Sequence, residues 1–263
     1  MDKELIYFCT HAYGGIKTQS INQVNALDKL GIRIHFIGPK DWKDHKLRSP
    51  SKMILRLLPQ KSKKIKNKLF SRIFTGYKIL HDIFFLYKYI GKSKVKFVII
   101  SAFSEYLAPL WVPLLKLRMK ENVKFGVVAL DPIRDYIRGP KWLHNKSVNL
   151  AYSIFSEIYL HSNVKLNLNN KLKQRISIIE HGPLIYPDYP NARIETRTEL
   201  GLTNNDKLLL SFGFLRDNKN INLIIQALKK FENVHLLIVG SEAPTGQVKS
   251  FESKKLAKDL GIE

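Results

Sequence analysis

Apolar runs of strand length alternate along the chain with stretches whose apolar residues recur at helical spacing. The first run covers residues 5–9, a helical pattern follows at 16–30, and 32–37 is a second run. A strand, a helix and a strand in this order form a right-handed βαβ unit with a parallel sheet. The runs at 96–101 and 123–130 continue the pattern. The sequence therefore predicts an α/β fold with a Rossmann-like N-terminal domain.

A glycine pair separates the first apolar run from the first predicted helix. We predict that Gly14 and Gly15 lie in a loop over residues 10–15. Glycine lets a backbone approach a ligand closely, which suits a ligand-binding loop. A merely tight turn explains the same pair, so these residues alone leave both interpretations open.

The region from residue 40 to residue 96 is strongly basic. It holds 17 Lys plus Arg against three Asp and no Glu. Its apolar residues recur at helical spacing on both sides of Pro59, which predicts one or two amphipathic helices with cationic faces over about residues 50–90. Through residues 52–72 such a helix would bind an anionic membrane surface. The alternative is a solvated helix that packs on the sheet, and we expect residues 80–90 to belong to the core.

Polar residues follow two later predicted strands. Asp131 comes directly after 123–130, where its carboxylate could orient a sugar hydroxyl or cap the turn before Pro132. His181 follows the predicted strand 175–180 and is either a catalytic or ligand-contacting group or a structural histidine beside a glycine turn. The remaining elements predicted here are helices at 149–156 and 163–172 and a short strand at 158–161.

Prolines mark a boundary late in the chain. The segment 184–192, directly after Pro183, interrupts the periodicity and predicts a linker between a domain at 1–183 and a second domain at 193–263. A new α/β pattern follows it. Its predicted elements are a helical turn at 194–200, a strand at 207–212, a helix at 220–231, a strand at 234–239 and a helix at 248–260.

A cationic loop joins the first strand of the second domain to its helix. Gly213 ends the strand, and Arg216 and Lys219 precede the helix. Unpaired amide N–H groups and the helix dipole hold anions at such a position, so two cations there make a diphosphate a suitable ligand. Two ordinary solvated cations are the alternative.

Composition narrows the classes of partner. A formal net charge of +22 in 263 residues predicts an anionic partner. Cys9 is the sole cysteine, which excludes an internal disulfide and a cysteine-cluster metal site. The longest nearly apolar window, 107–115, is too short to span a membrane, and no secretory signal is recognisable. Nucleic acid is not the expected partner, because the sequence contains no zinc finger and no RNA-binding aromatic motif. The sequence also lacks a P-loop motif, so a P-loop NTPase is not expected.

The motifs, in their order along the chain, resemble the family-4 (group 1) retaining glycosyltransferases of the GT-B fold. Gly14-Gly15 looks like that family's N-terminal glycine loop, and Glu180-His-Gly-Pro183 like its interdomain crossover. The family's run RxxLGL … FGxLRxxKN … LLIVG is similar to Arg197-Thr-Glu-Leu-Gly-Leu202, Phe212-Gly-Phe-Leu-Arg-Asp-Asn-Lys-Asn220 and Leu236-Leu-Ile-Val-Gly240. Many members have arginine directly after the glycine, where this chain has Phe214.

The resemblance implies hexosyl transfer from a nucleotide-diphosphate sugar to a lipid-linked or polysaccharide-precursor acceptor. It places the acceptor on the N-terminal domain and the protein at the cytoplasmic membrane face, as a peripheral protein. The implied donor-diphosphate residues are Gly14, Gly15, Gly213, Arg216 and Lys219. No metal or other cofactor is implied, in keeping with the lack of an Asp-x-Asp motif.

The resemblance also implies that the second domain is incomplete. The family's Glu-x7-Glu element and nucleoside pocket have no counterpart before the last residue, Glu263. We therefore expect little or no activity from these residues alone. A non-catalytic remnant that binds nucleotide sugar or a membrane surface, and one half of a split enzyme, are the alternatives.

Overall fold

The chain forms two compact units, Met1–Tyr186 (unit 1) and Pro187–Glu263 (unit 2). Each unit contains a parallel sheet flanked by helices, which confirms the predicted α/β fold. The structure, a computed structural model, describes residues 4–10, 14–39, 53–58, 68–101, 103–130, 132, 137, 139–182, 189–242 and 249–262.

Unit 1 is built on a seven-stranded sheet in the order β3-β2-β1-β4-β5-β6-β7, and every neighbouring pair is parallel. The strands are β1 Glu4–Phe8, β2 Arg33–Pro39, β3 Met53–Leu58, β4 Phe97–Ile100, β5 Lys124–Val128, β6 Phe155–Leu160 and β7 Ile176–Ile178. The helices are α1 Gly14–Lys29, α2 Lys68–Ser93, α3 Ala108–Met119, α4 Lys141–Tyr152 and α5 Asn170–Lys173, with a 3-10 turn at Glu105–Leu107 before α3.

Strand β1 shows why the sheet is covered on both faces. Its side chains alternate between two apolar clusters, because successive residues of a strand point to opposite faces. Ile6 and Phe8 pack in the cluster that contains Leu86 of α2. Leu5 and Tyr7 pack in the cluster that contains Val24 of α1. A parallel sheet buried in this way needs nearly continuous apolar strands, as the sequence has.

The strand order reverses at β1, which pairs with β2 on one side and β4 on the other. In doubly wound sheets, ligands bind outside the carboxyl ends of the strands at such a reversal. The segments that leave this edge begin at Cys9 after β1 and at Ser101 after β4. The fold thus marks the region between α1 and the turn before α3 as the binding edge of unit 1.

Three secondary-structure predictions for unit 1 are wrong. Met53–Leu58 is a strand paired with β2 and not the start of an amphipathic helix, because an apolar run of this length between two prolines fits either element and the sheet edge decides it. The helix predicted at 149–156 begins at Lys141, and Ser156 lies in β6. Of the helix predicted at 163–172, only the turn Asn170–Lys173 forms.

Helix α2 confirms the helix predicted after residue 68, and its two halves differ in burial. Towards its C-terminus Ile83, Leu86 and Ile90 are buried in the core, as expected for 80–90. Towards its N-terminus, large apolar side chains are exposed instead. About half of the predicted membrane segment 52–72, namely residue 52 and residues 59–67, lies outside the described residues.

Unit 2 has the two-stranded parallel sheet β8 Lys207–Phe212 and β9 Val234–Val239, with both strands at their predicted bounds. Its helices are α6 Ala192–Glu199, α7 Ile221–Leu228 and α8 Ser250–Asp259, with a 3-10 turn at Asp217–Lys219 before α7. One face of the sheet is covered, because Leu215, Ile221 and Ile225 form a small buried core with partly buried residues of β9 and α8. On the other face Leu210 and Phe212 are exposed by 62% and 71%.

The motif that begins at Arg197 has a structural role in unit 2. The Arg197 guanidinium donates hydrogen bonds to the carbonyl oxygens of Thr203 and Asp206. The Asp206 carboxylate in turn accepts from the backbone amide of Thr203 at 2.6 Å and from its hydroxyl at 2.7 Å. These hydrogen bonds hold the pKa of Asp206 below its usual range. Together they fasten the end of α6 to the turn that begins β8.

Candidate functional site

Gly213 turns the chain at the carboxyl end of β8. Its φ of +100° lies in a region that side chains disfavour, so glycine is required there. Its amide donates a 2.8 Å hydrogen bond to the Val239 carbonyl oxygen of the neighbouring strand. Leu215 continues the pairing by donating to the Ser241 carbonyl oxygen at 2.9 Å. The loop therefore leaves the sheet edge from a fixed starting point.

Gly240, at the matching end of β9, allows the two strand ends to approach closely. A Cβ atom on Gly240 would overlap the Gly213 carbonyl oxygen and lie 2.7 Å from its carbonyl carbon. Backbone atoms cannot yield as the tip of a flexible side chain can. This contact requires glycine at position 240, as the φ angle requires it at position 213, and the close approach of the two strand ends sets the geometry of the cationic loop.

The 3-10 turn Asp217–Lys219 brings Lys219 back onto the end of β8. Its ammonium donates a hydrogen bond to the Phe212 carbonyl oxygen. The Nζ atom also lies 3.2 Å from the position that a Cβ on Gly213 would take. The structure therefore brings Gly213 and Lys219 together, as the sequence predicted for a single anion site. An ammonium has three N–H donors, so this one keeps donors for a ligand.

Arg216 directly precedes the 3-10 turn. Its guanidinium carbon is 5.8 Å from the centroid of the Phe214 ring, within the range of a cation–π contact. Phe214 is the residue at which the sequence departs from the family pattern. It now has a physical role, because its ring supports the cation that follows two residues later.

Helix α7 begins directly after this loop. Asn220 precedes it in the left-handed conformation, with φ of +50°, and its side chain makes no capping hydrogen bond. The amides of a first helical turn carry partial positive charge and favour an anion. Gly213, Lys219 and the start of α7 thus present a cationic and polar surface at the carboxyl end of β8.

Glu242 is fixed at the carboxyl end of β9. Its carboxylate accepts from the Ser250 amide and hydroxyl, both at 3.0 Å, and from the Lys249 ammonium at 3.2 Å. The pKa of Glu242 is lowered, first by the Ser250 amide and then by Lys249. The sequence did not single out Glu242. Its role is structural, since it caps α8 and forms an isolated bridge with Leu215.

In unit 1, Gly14 and Gly15 are the first residues of α1 and not part of a loop. Glycine is tolerated there because the first amides of a helix have no intrahelical partner. A Cβ on Gly15 would meet no atom within 4 Å among the described residues. The prediction that this glycine pair lies in the loop is therefore wrong, and the pair instead opens the helix that follows β1.

His181 lies beside a second histidine that the sequence analysis missed. The rings of His161 and His181 are 4.9 Å apart between centroids. His161 Nδ1 donates to the Ile179 carbonyl oxygen at 3.1 Å, and His181 Nδ1 donates to the Gly182 carbonyl oxygen at 2.8 Å. Both rings are thereby held as the Nδ1–H tautomer when neutral, which leaves each Nε2 as an acceptor. His161 Nε2 contacts the Gln19 side-chain nitrogen from α1.

The positions of His161 and Gln19 relative to the predicted strands could have identified them as candidate site residues. His161 directly follows β6, and Gln19 lies in the helix after β1, so both belong to the binding edge that parallel strands share. The other candidate catalytic residue, Asp131, lies outside the described residues. In the part of the chain that the structure describes, no group of three or more His, Cys, Asp or Glu side chains is placed to hold a metal ion.

A cavity of about 230 Å³ opens at the carboxyl ends of β4 and β5 in unit 1. Its wall combines apolar and aromatic side chains with a buried carboxylate and a buried imidazole, from Glu105 and His144. Neither residue was singled out in the sequence, since both lie within helical patterns.

Among the described helices, none is both long and apolar enough to cross a membrane.

Comparisons with known proteins identify solved structures that have a similar fold. No protein-family model matches the sequence, and no curated protein matches it. Solved structures do match. A glycosyltransferase from Rickettsia africae ESF-5 has 17% identity and a TM-score of 0.63, and the match covers 98% of this chain but 65% of that chain.

Two further structures show the breadth of the likeness. UGT73P12 from Glycyrrhiza uralensis, in complex with glycyrrhetinic acid 3-O-monoglucuronide, has 12% identity and a TM-score of 0.57 over 99% of this chain and 67% of that chain. UDP-GlcNAc 2-epimerase from Neisseria meningitidis, bound to UDP-GlcNAc, has 14% identity and a TM-score of 0.54, and the match covers 97% of this chain and 69% of that chain. The chain therefore has the GT-B-type α/β fold shared by glycosyltransferases and these epimerases.

Proposed function

We propose that the chain is part of a family-4-type retaining glycosyltransferase that moves a hexosyl group from a nucleotide-diphosphate sugar. The acceptor is lipid-linked or a polysaccharide precursor at the cytoplasmic membrane face. The observation that carries the proposal is the Lys219 ammonium held beside Gly213 at the carboxyl end of β8, in a GT-B-type fold. The motif resemblance supports the choice of family.

Lys219 and Arg216 would stabilise the leaving group. As the bond to the sugar breaks, negative charge grows on the diphosphate, and fixed cations stabilise that charge more than they stabilise the intact donor. Lys219 is pre-positioned by its hydrogen bond to Phe212, and Arg216 by its contact with Phe214. In this proposal no metal is needed to offset the diphosphate charge.

The donor site is tested by binding. Titration calorimetry of the chain with UDP, GDP, ADP and dTDP should find at least one nucleoside diphosphate that binds. Lys219→Met keeps the length of the side chain but removes the charge, so the affinity should fall by roughly 10- to 100-fold. The matched control is Lys229→Met, at an exposed lysine of the same unit after α7. Equal affinity in the Lys219 variant and the control would refute the diphosphate assignment.

The first half of α2 supports the membrane part of the proposal. Phe70, Ile73, Phe74 and Tyr77 recur at helical spacing and are exposed by 63%, 59%, 39% and 64%. Residues at this spacing share one face of a helix. Basic residues are interspersed with them, including Arg72. An exposed aromatic face with adjacent cations suits the interface of an anionic bilayer.

Vesicle flotation tests this surface. Wild-type protein should float with vesicles that contain phosphatidylglycerol and much less with pure phosphatidylcholine, and added salt should weaken the interaction. Ile73→Glu should abolish flotation because it places a charge within the apolar face. Leu30→Glu makes the same change at a leucine that is 74% exposed elsewhere in unit 1 and should float like the wild type. Equal flotation of both variants would exclude this face of α2 as the contact.

A further inference from the structure

The cavity of unit 1 lies between the ends of strands and a helix. It is bounded by the carboxyl ends of β4 and β5, by helix α4 and by residues 165–168. The Ser147 hydroxyl of α4 donates to the Glu105 carbonyl oxygen, which ties α4 to the turn before α3. The Phe103 ring packs edge-on against Tyr152, with centroids 5.6 Å apart. The shape of the cavity is thus set by packed side chains.

Two buried polar side chains line this largely apolar space. Glu105 is 6% exposed and His144 is 7% exposed. The His144 ring packs against the Tyr106 ring in a tilted arrangement, with 5.0 Å between the ring centroids. Among the described residues, no group forms a hydrogen bond with His144 Nδ1, although this atom is buried. Buried polar atoms nearly always have a partner, so an unsatisfied one beside a cavity indicates a group that binds there.

The charges of the wall select the kind of ligand. The buried acidic side chain is that of Glu105; its carboxyl oxygens accept hydrogen bonds from hydroxyl groups, and an ionised carboxylate repels phosphate and carboxylate ligands. The lysine of the wall, Lys165, is exposed. Phe103 and Tyr152 offer aromatic faces, on which the C–H face of a sugar ring can pack. The wall therefore suits a neutral, hydroxylated ring.

The size of the cavity limits how much of a ligand enters. At about 230 Å³ it is smaller than the roughly 300–1,000 Å³ of pockets that hold drug-sized ligands. A single ring fits this volume, and the rest of a longer molecule would remain outside. The cavity opens at the binding edge of the sheet, where the fold places ligands.

We propose that this cavity binds one neutral sugar ring of the acceptor, with Glu105 and His144 as specificity-determining hydrogen-bonding groups. This inference rests on the proposed glycosyl transfer for the identity of the ligand. The binding itself rests on the cavity, the buried carboxylate and the unsatisfied imidazole. The acceptor is then a saccharide at its reacting end, and not a phosphorylated terminus.

The test uses the methyl glycosides of glucose, galactose, mannose and N-acetylglucosamine, without any donor. Saturation-transfer NMR with the wild-type chain should detect binding of at least one of them in the millimolar range. The same glycoside should shift the ring-proton resonances of His144, a readout that needs no variant. Methyl phosphate and benzoate should not produce the shift.

Variants then assign the polar groups. Glu105→Gln and His144→Gln should each weaken binding of the glycoside by about tenfold, and circular dichroism shows whether each remains folded. Glu157→Gln makes the same change at an exposed carboxylate of β6 and should bind like the wild type.

Two results would overturn the inference: no glycoside shifts the His144 resonances, or the Glu105 and Glu157 variants bind equally. Binding of a nucleoside diphosphate is measured separately and should be unchanged in Glu105→Gln. The sugar-ring inference can therefore fail while the donor site stands, and the reverse also holds.

Discussion

Replacing Gly240 by alanine tests whether the contact between the two strand ends sets the geometry of the cationic loop. The added Cβ would overlap the Gly213 carbonyl oxygen, and its distance to the carbonyl carbon would be 2.7 Å. Carbon atoms that are not bonded prefer about 3.5–4.0 Å. The strand ends must therefore move apart by roughly 1 Å, which is enough to break hydrogen bonds at this end of the sheet.

The expected cost follows from the atoms involved. Forcing a methyl group into a packed site costs about 1–3 kcal/mol, and a rigid backbone neighbour favours the upper half of that range. Two hydrogen bonds report the movement directly, namely those from the amides of Gly213 and Leu215 to the carbonyl oxygens of Val239 and Ser241. A cost of about 2 kcal/mol corresponds to roughly 30-fold faster hydrogen exchange at these amides.

The assay is hydrogen exchange followed by NMR, with two alanine variants as controls. Gly201 has φ of +65° but no atom within 4 Å of an added Cβ, so Gly201→Ala measures backbone strain without a clash. Gly182 has neither feature, and Gly182→Ala should change little. Protection of Gly213 and Leu215 should fall in the Gly240 variant alone. If Gly240→Ala exchanges like Gly201→Ala at these amides, the close approach does not set the loop.

Three further predictions concern other parts of the fold. Trp111→Ala removes a side chain that is 1% exposed and bonded to the Ser104 carbonyl oxygen at 2.8 Å, so the free energy of unfolding measured in urea should fall by about 3–5 kcal/mol. Asn169→Ala removes the acceptor for the Leu172 amide at the start of α5 and should cost about 1 kcal/mol in the same assay. Hydrogen bonds from Ser250 and Lys249 lower the pKa of Glu242, so the ionised carboxylate stabilises the fold above the unfolded pKa, and this contribution is lost as the pH falls through the lower folded pKa. The difference in melting temperature between wild type and Glu242→Gln should therefore be largest near neutral pH and vanish in strong acid; a difference that persists there would contradict the cap.

The sequence predicts the fold well where periodicity is regular. The strands β8 and β9 occur at their predicted bounds, because an apolar run between a turn and a glycine leaves few alternatives. The apolar run Met53–Leu58 fits a helix or a strand on periodicity alone. Its identity as a strand depends on a neighbour, β2, that offers an unpaired edge. Such a tertiary choice cannot be read from the run itself.

The contacts of the candidate sites also differ in how well the sequence predicts them. Gly213 and Lys219 are six residues apart, so a local pattern predicts their contact. Arg216 was also predicted there, and its contact with the Phe214 ring is local too. His144 and Glu105 meet at a cavity only because α4 packs beside the turn before α3. Residues brought together by packing between distant elements give no pattern along the chain.

The position of β1 in the middle of its sheet has a consequence for synthesis on the ribosome. This strand is made before the other strands of its sheet, yet one of its two neighbours is β4, with Ile6 opposite Val98, about 90 residues later. At roughly 5–20 residues per second, β1 waits several seconds or more for that partner. During this time its apolar residues, which become buried on both faces, are exposed outside or near the exit tunnel. Nascent chains of this protein should therefore depend on chaperones that shield apolar residues until residue 100 has emerged.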